Sequence, residues 1–191
     1  VFVLEGDEYP SAHDDARAKF MHLHPRDLVL TAVVHDHVNV YPTFEDYQKP
    51  FRELLALVPE DGIVVVCADE PGALALAKES GKTLVTYGTT EGQFRAANIE
   101  YGPTTTFTLL RPDGGDIELS TTLLGRHNVE DIVAASAYLL SRDLVSPEAL
   151  AAAVATFGGV RRRLDNIAPD SRVPVYEGFG SSYEKARAAI D

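Results

Sequence analysis

Cysteine is almost absent, Cys67 being the only one in 191 residues. No disulfide can close within the chain, and Cys67 ends the run Ile63-Val64-Val65-Val66-Cys67, so it reads as a small buried hydrophobe rather than a nucleophile or metal ligand. Cationic side chains are also scarce, with 17 Lys and Arg against 29 Asp and Glu for a formal charge of -12. A basic face is what displaces counterions from nucleic acid or an anionic bilayer, so neither is expected as a partner. No apolar stretch reaches the roughly 18 residues of a membrane span and no signal-peptide pattern is present, which makes a reducing cytoplasm the expected home. Internal repeats and low-complexity tracts are missing as well. A phosphate-cradling loop is missing too. Gly81-Lys82-Thr83 imitates the end of one, but the residue five places before Gly81 is Leu76 instead of glycine, and a helix-like segment precedes it where a strand is needed. Gly81 is better explained as a helix C-cap leading into a strand.

What remains is an ordinary folded chain, 45% hydrophobic and 24% charged, long enough for one domain or for one domain with part of a second. Strand-like and helix-like segments alternate, which predicts an α/β fold with a mainly parallel sheet. The expected order is a buried strand at Val1–Leu4, a helix over Asp14–His22 and a strand over Leu28–Val34. A helix follows, capped at Thr43 and running through Leu57, with Pro50 bending or splitting it. A strand then starts at Gly62, a helix covers Pro71–Ser80, and a strand covers Thr83–Tyr87. After Gly88 three β-type runs, Phe94–Tyr101, Thr104–Leu110 and Asp116–Thr122, predict a small antiparallel appendage, the last two joined by the turn Pro112-Asp113-Gly114-Gly115. Helices are expected over Val129–Arg142 and Pro147–Thr156. Loop-like composition from Asn166 to Pro174 places a boundary there: residues 1–167 form one domain, and residues 168–191 are a linker with the start of another, a strand at Val173–Tyr176 and a helix from about Ser182.

Four clusters carry possible chemistry. The first apolar run delivers Glu5, Asp7 and Glu8 within four residues, where a strand end would gather ligands; oxygen donors at that density suit a hard ion such as Mg2+, while these residues taken alone favour a solvated acidic turn. His35-Asp36-His37 closes the next apolar run. Asn128 is placed to cap a helix whose first turn holds Glu130 and Asp131. Arg161, Arg162 and Arg163 follow a Gly-Gly turn in an otherwise acidic protein, a local reversal of charge that suits phosphate or a solvated surface.

The order of these motifs is more specific than any one of them. EGDEY, an Asp-His pair after the next strand, GRHNVED, FGGVRRRLD and then VPVYEGF together resemble the ATP-dependent Mur ligase family, from the middle of its central domain onward. Within the family, EGDEYPSAHDDARAKFMHLHP is most similar to the branch that joins UDP-N-acetylmuramate to a recycled muropeptide, L-alanyl-γ-D-glutamyl-meso-diaminopimelate, through Tyr9, Ser11, Ala12, Asp15, Arg17, Lys19 and Phe20. The resemblance implies a partial central domain followed by the first strand and helix of a Rossmann-like C-terminal domain. It implies ATP and Mg2+ as cofactors, with Glu5 and His37 as catalytic residues holding the metal, His127 and Asn128 lining the adenine and ribose pocket, and Arg163 reaching the nucleotide phosphates. By the same resemblance, ATP phosphorylates the muramoyl carboxylate and the peptide amine displaces phosphate to give the amide.

The sequence also departs from the family pattern. Ala32 stands where an asparagine is usual, Asn39 where an acidic residue is usual, and Asp131 where a second asparagine is usual; Gly178 and Ser181 replace an aspartate and a histidine, while Lys185 remains alignable. The family's phosphate loop would precede Val1, so these 191 residues alone are expected not to turn over ATP. A ligase-derived binding or scaffold module without catalysis is the alternative that the substitutions favour. A related ligase, alanine-adding or of the folate or cyanophycin type, is another.

Overall fold

The computed structural model describes residues 2–168, 171–173, 175–178 and 187. The chain divides into two compact units, Val1–Tyr87 and Gly88–Asp191.

The first unit opens on an antiparallel hairpin, β1 (Pro10–Ala12) and β2 (Asp15–Ala18), followed by a 3-10 helix over Lys19–His22. Three parallel strands come next in the ladder, β3 (Leu28–Leu30), β4 (Ile63–Cys67) and β5 (Thr83–Gly88), with Leu28 opposite Val64 and Val64 opposite Leu84. The crossovers are α1 (Phe44–Leu57) and α2 (Pro71–Glu79). Every residue of β4 is buried, as a parallel strand covered on both faces requires. Its alternate residues Val64 and Val66 join one core with Tyr47, Phe51, Leu54, Leu55 and Val58, a stripe of helical spacing along α1 and its C-cap. Thr43 caps α1 by accepting from the Asp46 N–H, and Pro50 sits inside the helix without dividing it. Gly81 lies beyond the end of α2 with φ +67, the left-handed position that suits glycine.

Three expectations fail in this unit. Residues 2–7 have no regular structure, and Phe2, Val3 and Leu4 are 96, 87 and 62% exposed, so the expected first strand is absent over Phe2–Leu4. An apolar run becomes a strand only when a neighbouring edge takes its backbone groups; here the nearby carbonyls of Asp7 and Tyr9 accept instead from Phe20 and Lys19 N–H, at 3.1 and 3.0 Å. Asp14–His22 is a strand and a 3-10 turn instead of an α-helix. Its cause is local: the Asp15 carboxylate accepts from the backbone N–H and guanidinium of Arg17 two residues on, a pattern that competes with helical bonding. The Leu28–Val34 strand stops at Leu30, where the ladder to Val66 ends.

The second unit carries an antiparallel sheet of β6 (Phe94–Glu100), β7 (Thr105–Leu110) and β8 (Ile117–Thr121), with Ala96 opposite Leu109 and Phe107 opposite Leu119. The β7–β8 turn is the one expected. Gly114 takes φ +73, and Arg111 clamps the turn by donating to Asp113 at 2.6 Å and to the Gly115 carbonyl at 3.0 Å. Helix α3 (Arg126–Ser141) packs on β6 and buries Val129, Val133 and Ala137 at i, i+4 and i+8; α4 (Pro147–Thr156) packs on β8 through Leu150. Ser146 caps α4, accepting from Ala149 N–H.

A short pair, β9 (Asp165–Asn166) and β10 (Tyr176–Glu177), lies across the expected boundary; β10 begins where the expected Val173–Tyr176 strand ends. The helix expected from Ser182 lies outside the described residues. Among the described residues no helix is long and apolar enough to cross a membrane.

Candidate functional site

In the first unit the chemistry collects around His37. After β3 the chain turns sharply, and His37 takes the left-handed conformation, φ +53, an uncommon state for a residue with a Cβ. The turn is tied down by backbone bonds: the His37 N–H donates to Asp36 Oδ1 at 2.7 Å, and the His37 carbonyl accepts from Val40 and Tyr41 N–H at 2.8 and 2.9 Å. Its imidazole Nε2 lies 3.3 Å from Glu8 Oε1, Nδ1 lies 3.9 Å from Asp36 Oδ1, and Tyr9 meets the ring edge-on with centroids 5.0 Å apart. Glu8 in turn accepts from the Tyr47 hydroxyl at 3.1 Å, and its backbone carbonyl accepts from the Tyr41 hydroxyl. Burial, then the charge of Glu8, pushes both phenols above their ordinary range, so they remain hydrogen-bond donors. Glu5 is exposed and makes no hydrogen bond or ion pair among the described residues. The carboxylate at His37 is therefore Glu8, and the pairing of Glu5 with His37 stays a proposal.

This donor set fits a hard divalent ion in kind. One imidazole with carboxylates beside it supplies one or two protein ligands, the usual number for magnesium, which keeps water and substrate phosphate in the rest of its shell. Among the described residues no group of three or more His, Cys, Asp or Glu side chains is placed to hold a metal by itself, so nucleotide phosphate would have to complete the site.

Beside it stands the hairpin whose residues set the branch resemblance. Asp15 receives a bidentate grip from Arg17, at 2.9 and 2.7 Å, and His22 Nε2 lies 3.3 Å from the same carboxylate. The Arg17 bond holds the Asp15 carboxyl far below its ordinary range. Lys19 pairs with Asp7 at 2.7 Å, Ser11 donates to the Arg17 carbonyl, and Phe20 is buried against Phe51.

In the second unit α3 begins at Arg126, three residues before the sequence suggests. Gly125, with φ +84, occupies the cap position and provides no side-chain bond. Asn128 is thus not the N-cap. It lies in the first turn, where its amide donates to the Leu124 carbonyl at 2.6 Å and to His127 Nε2 at 3.1 Å, and Glu130 and Asp131 fall beyond that turn. The misreading came from the cap preference of asparagine; the glycine at 125 can take the left-handed start that Asn128 was not needed for. The other ring nitrogen of His127, Nδ1, is buried and has no partner among the described residues. Asn128→Ala is expected to cost about 1 kcal/mol in thermal unfolding, through the lost bond to Leu124 and not through a cap.

Arg163 lies after α4, flanked by Arg162 and Leu164, both left-handed at φ +64 and +54. Arg162 is occupied by Glu177 at 3.1 Å. His127 and Asn128 are therefore brought together, and Arg163 sits on a separate, sharply turned segment of the same unit. Sequence reading missed Glu8, Tyr41 and Tyr47 as neighbours of His37. The spacing of Tyr47 with Phe51 marks a core stripe, and nothing in a single sequence tells which tyrosine hydroxyl turns back to a carboxylate 39 positions away.

The Mur ligase middle domain family matches residues 1–139. An α/β unit with a parallel sheet and an antiparallel unit accompany that match, and the chain belongs to the Mur ligase family. A UDP-N-acetylmuramate--L-alanine ligase of Arthrobacter sp. (strain FB24) is 34% identical over 196 residues, covering 100% of this chain and 39% of that protein. The UDP-N-acetylmuramate:L-alanyl-gamma-D-glutamyl-meso-diaminopimelate ligase (MPL) from Neisseria meningitides superimposes with TM-score 0.69 at 26% identity, over 84% of this chain and 49% of that one. MurF from Acinetobacter baumannii shares the fold at TM-score 0.76 and 19% identity, over 87% of this chain and 36% of that one. The chain thus spans about two fifths of the length of the curated relatives it matches.

Proposed function

We propose that this chain is the later part of the central domain of an ATP-dependent amide ligase whose acid substrate is UDP-N-acetylmuramate. The observation that carries this is the family match over residues 1–139, which contains the His37 site and the His127–Asn128 pair. Both the Arthrobacter relative and the Neisseria structure bear names that place UDP-N-acetylmuramate on the acid side. In the reaction the muramoyl carboxylate oxygen takes the γ-phosphoryl group and ADP leaves. The acceptor nitrogen then attacks the acyl carbon, phosphate leaves, and the nitrogen loses a proton. Magnesium, when bound, offsets the charge on the transferring phosphoryl group. The chain's residues supply position and charge: Glu5 and His37 toward the metal, His127 and Asn128 toward adenine and ribose, and Arg163 toward phosphate.

For the acceptor we propose the recycled tripeptide, with Mg2+ and ATP as cofactors and peptidoglycan recycling in the cytoplasm as the setting. Support comes from the local order of Tyr9, Ser11, Asp15, Arg17, Lys19 and Phe20, which lie on one hairpin and the residues flanking it, Lys19 and Phe20 in the 3-10 helix that follows. L-Alanine is the second reading, favoured by the names of the relatives at 32–34% identity. The complete gene product, given ATP, Mg2+ and UDP-N-acetylmuramate, decides between them: faster ADP release with the tripeptide than with L-alanine supports the first, and the reverse order establishes the second. No release with either supports a binding module, for which Ala32, Asn39 and Gly178 are the residues to restore; Ser181 lies outside the described residues.

Arg163 provides a separate test of the nucleotide side. In the complete gene product Arg163→Ala should leave the melting temperature almost unchanged, since an exposed arginine contributes little to folding, yet weaken ADP more than adenosine, because only ADP carries phosphates. Titration of both ligands checks it. Equal weakening removes Arg163 from the site.

A further inference from the structure

Glu8 is gripped from three directions. The Tyr47 hydroxyl donates to Oε1, the Tyr41 hydroxyl donates to its backbone carbonyl, and His37 Nε2 stands 3.3 Å from Oε1. The tyrosines support each other as well, their rings meeting edge-on at 5.4 Å. On the other partner, the left-handed turn, two backbone–backbone bonds and the bond to the Asp36 carboxylate fix the main chain of His37, and Tyr9 limits the swing of its ring. The freedom left to the imidazole is which nitrogen carries the proton and which carries the lone pair. A metal-facing histidine commonly has this settled by a carboxylate that takes the N–H of the other nitrogen. Glu8 occupies that place.

We propose that Glu8 is a positioning residue for His37: its carboxylate holds the proton on Nε2 and leaves Nδ1, the nitrogen on the Asp36 side, as the atom that faces a divalent cation. This rests on the reading of His37 as metal-facing. Glu8 itself does not coordinate in this arrangement, because its Oε1 accepts from the Tyr47 hydroxyl and faces His37 Nε2 at 3.3 Å. The chain therefore carries one carboxylate for orientation and leaves coordination to others, and the three acidic residues after Leu4 divide by role: Asp7 pairs with Lys19, Glu8 orients His37, and Glu5 remains exposed.

The test uses the complete gene product with ADP present, its histidines labelled with nitrogen-15 and spin-active cadmium as the probe ion, read by long-range proton–nitrogen correlation above the imidazole titration range. In the wild type, cadmium should couple to and shift Nδ1 of His37 while Nε2 keeps its proton. Glu8→Ala should weaken cadmium at His37 by about tenfold or more and spread the coupling over both nitrogens. Tyr47→Phe, which keeps the carboxylate but removes its anchor, should fall between the two. If Glu8→Ala does not fold, Glu8→Gln keeps the shape without the charge and should show the same loss. Cadmium on Nε2 in the wild type, or unchanged affinity and the same nitrogen in the Glu8 variants, overturns the role of Glu8 alone. Cadmium binding that leaves both His37 nitrogens untouched overturns the metal-facing reading of His37 and this role with it.

Discussion

Gly62→Ala is expected to destabilise the first unit by about 3 kcal/mol, because the added Cβ has nowhere to go. It would sit 2.2 Å from the Arg26 carbonyl oxygen, 2.7 Å from Val58 Cγ1 and 3.1 Å from the Pro59 oxygen. Two of these are backbone atoms, which cannot swing away as a side-chain tip can. Relief requires moving the start of β4, whose residues are all buried and pair with β3 on one side and β5 on the other. Gly62 also donates its N–H to Pro59 at 3.0 Å, which holds the turn that delivers β4. Denaturant unfolding of the 191-residue chain measures the change. A loss under about 0.5 kcal/mol would mean that the turn before β4 is looser than described.

The second large effect separates two histidines that lie two positions apart. His37→Ala in the complete gene product should lower kcat/KM for ATP at least about a hundredfold, because it removes the imidazole that the proposed metal site depends on. Its effect on folding should be small, since the ring is partly exposed and its turn is held by backbone bonds. His35→Ala should do the opposite. His35 Nε2 bonds the Tyr41 carbonyl at 2.8 Å, and its ring packs against Phe44 and Tyr47, so its loss should cost about 1–2 kcal/mol of stability with a much smaller change in turnover. Thermal melts and steady-state rates on both variants give the comparison. Equal kinetic losses would remove the distinction between a structural and a chemical histidine.

The helices α1, α2 and α4 and the strands β4 to β8 were legible because each carries its own signal: a cap at Thr43 or Ser146, proline at the first turn of α2 and α4, a fully apolar run at β4, a glycine turn between β7 and β8. What failed depended on partners. Val1–Leu4 has strand composition, but composition does not supply an edge to pair with. Asp15 and Arg17 close a two-residue bond that no hydrophobic period records. At α3 two residues competed for one role, and the backbone freedom of Gly125 outweighed the side-chain chemistry of Asn128. Of the proposed site residues, His37 and Arg163 stand on turns after segments that the local sequence marks, whereas the contact of Glu8 with Tyr47 joins distant segments and exists only once α1 has packed.

The central claim, an ATP-dependent ligase acting on UDP-N-acetylmuramate, is tested most directly by following the label in a single reaction. UDP-N-acetylmuramate carrying oxygen-18 in its carboxylate is incubated with the complete gene product, ATP, Mg2+ and the tripeptide, and the released phosphate is analysed by mass. The account predicts amide product and one labelled oxygen in each phosphate, transferred when the acyl phosphate breaks. Amide formed with unlabelled phosphate would contradict the phosphorylated-carboxylate route, and ATP consumed equally with and without UDP-N-acetylmuramate would contradict the ligase assignment itself.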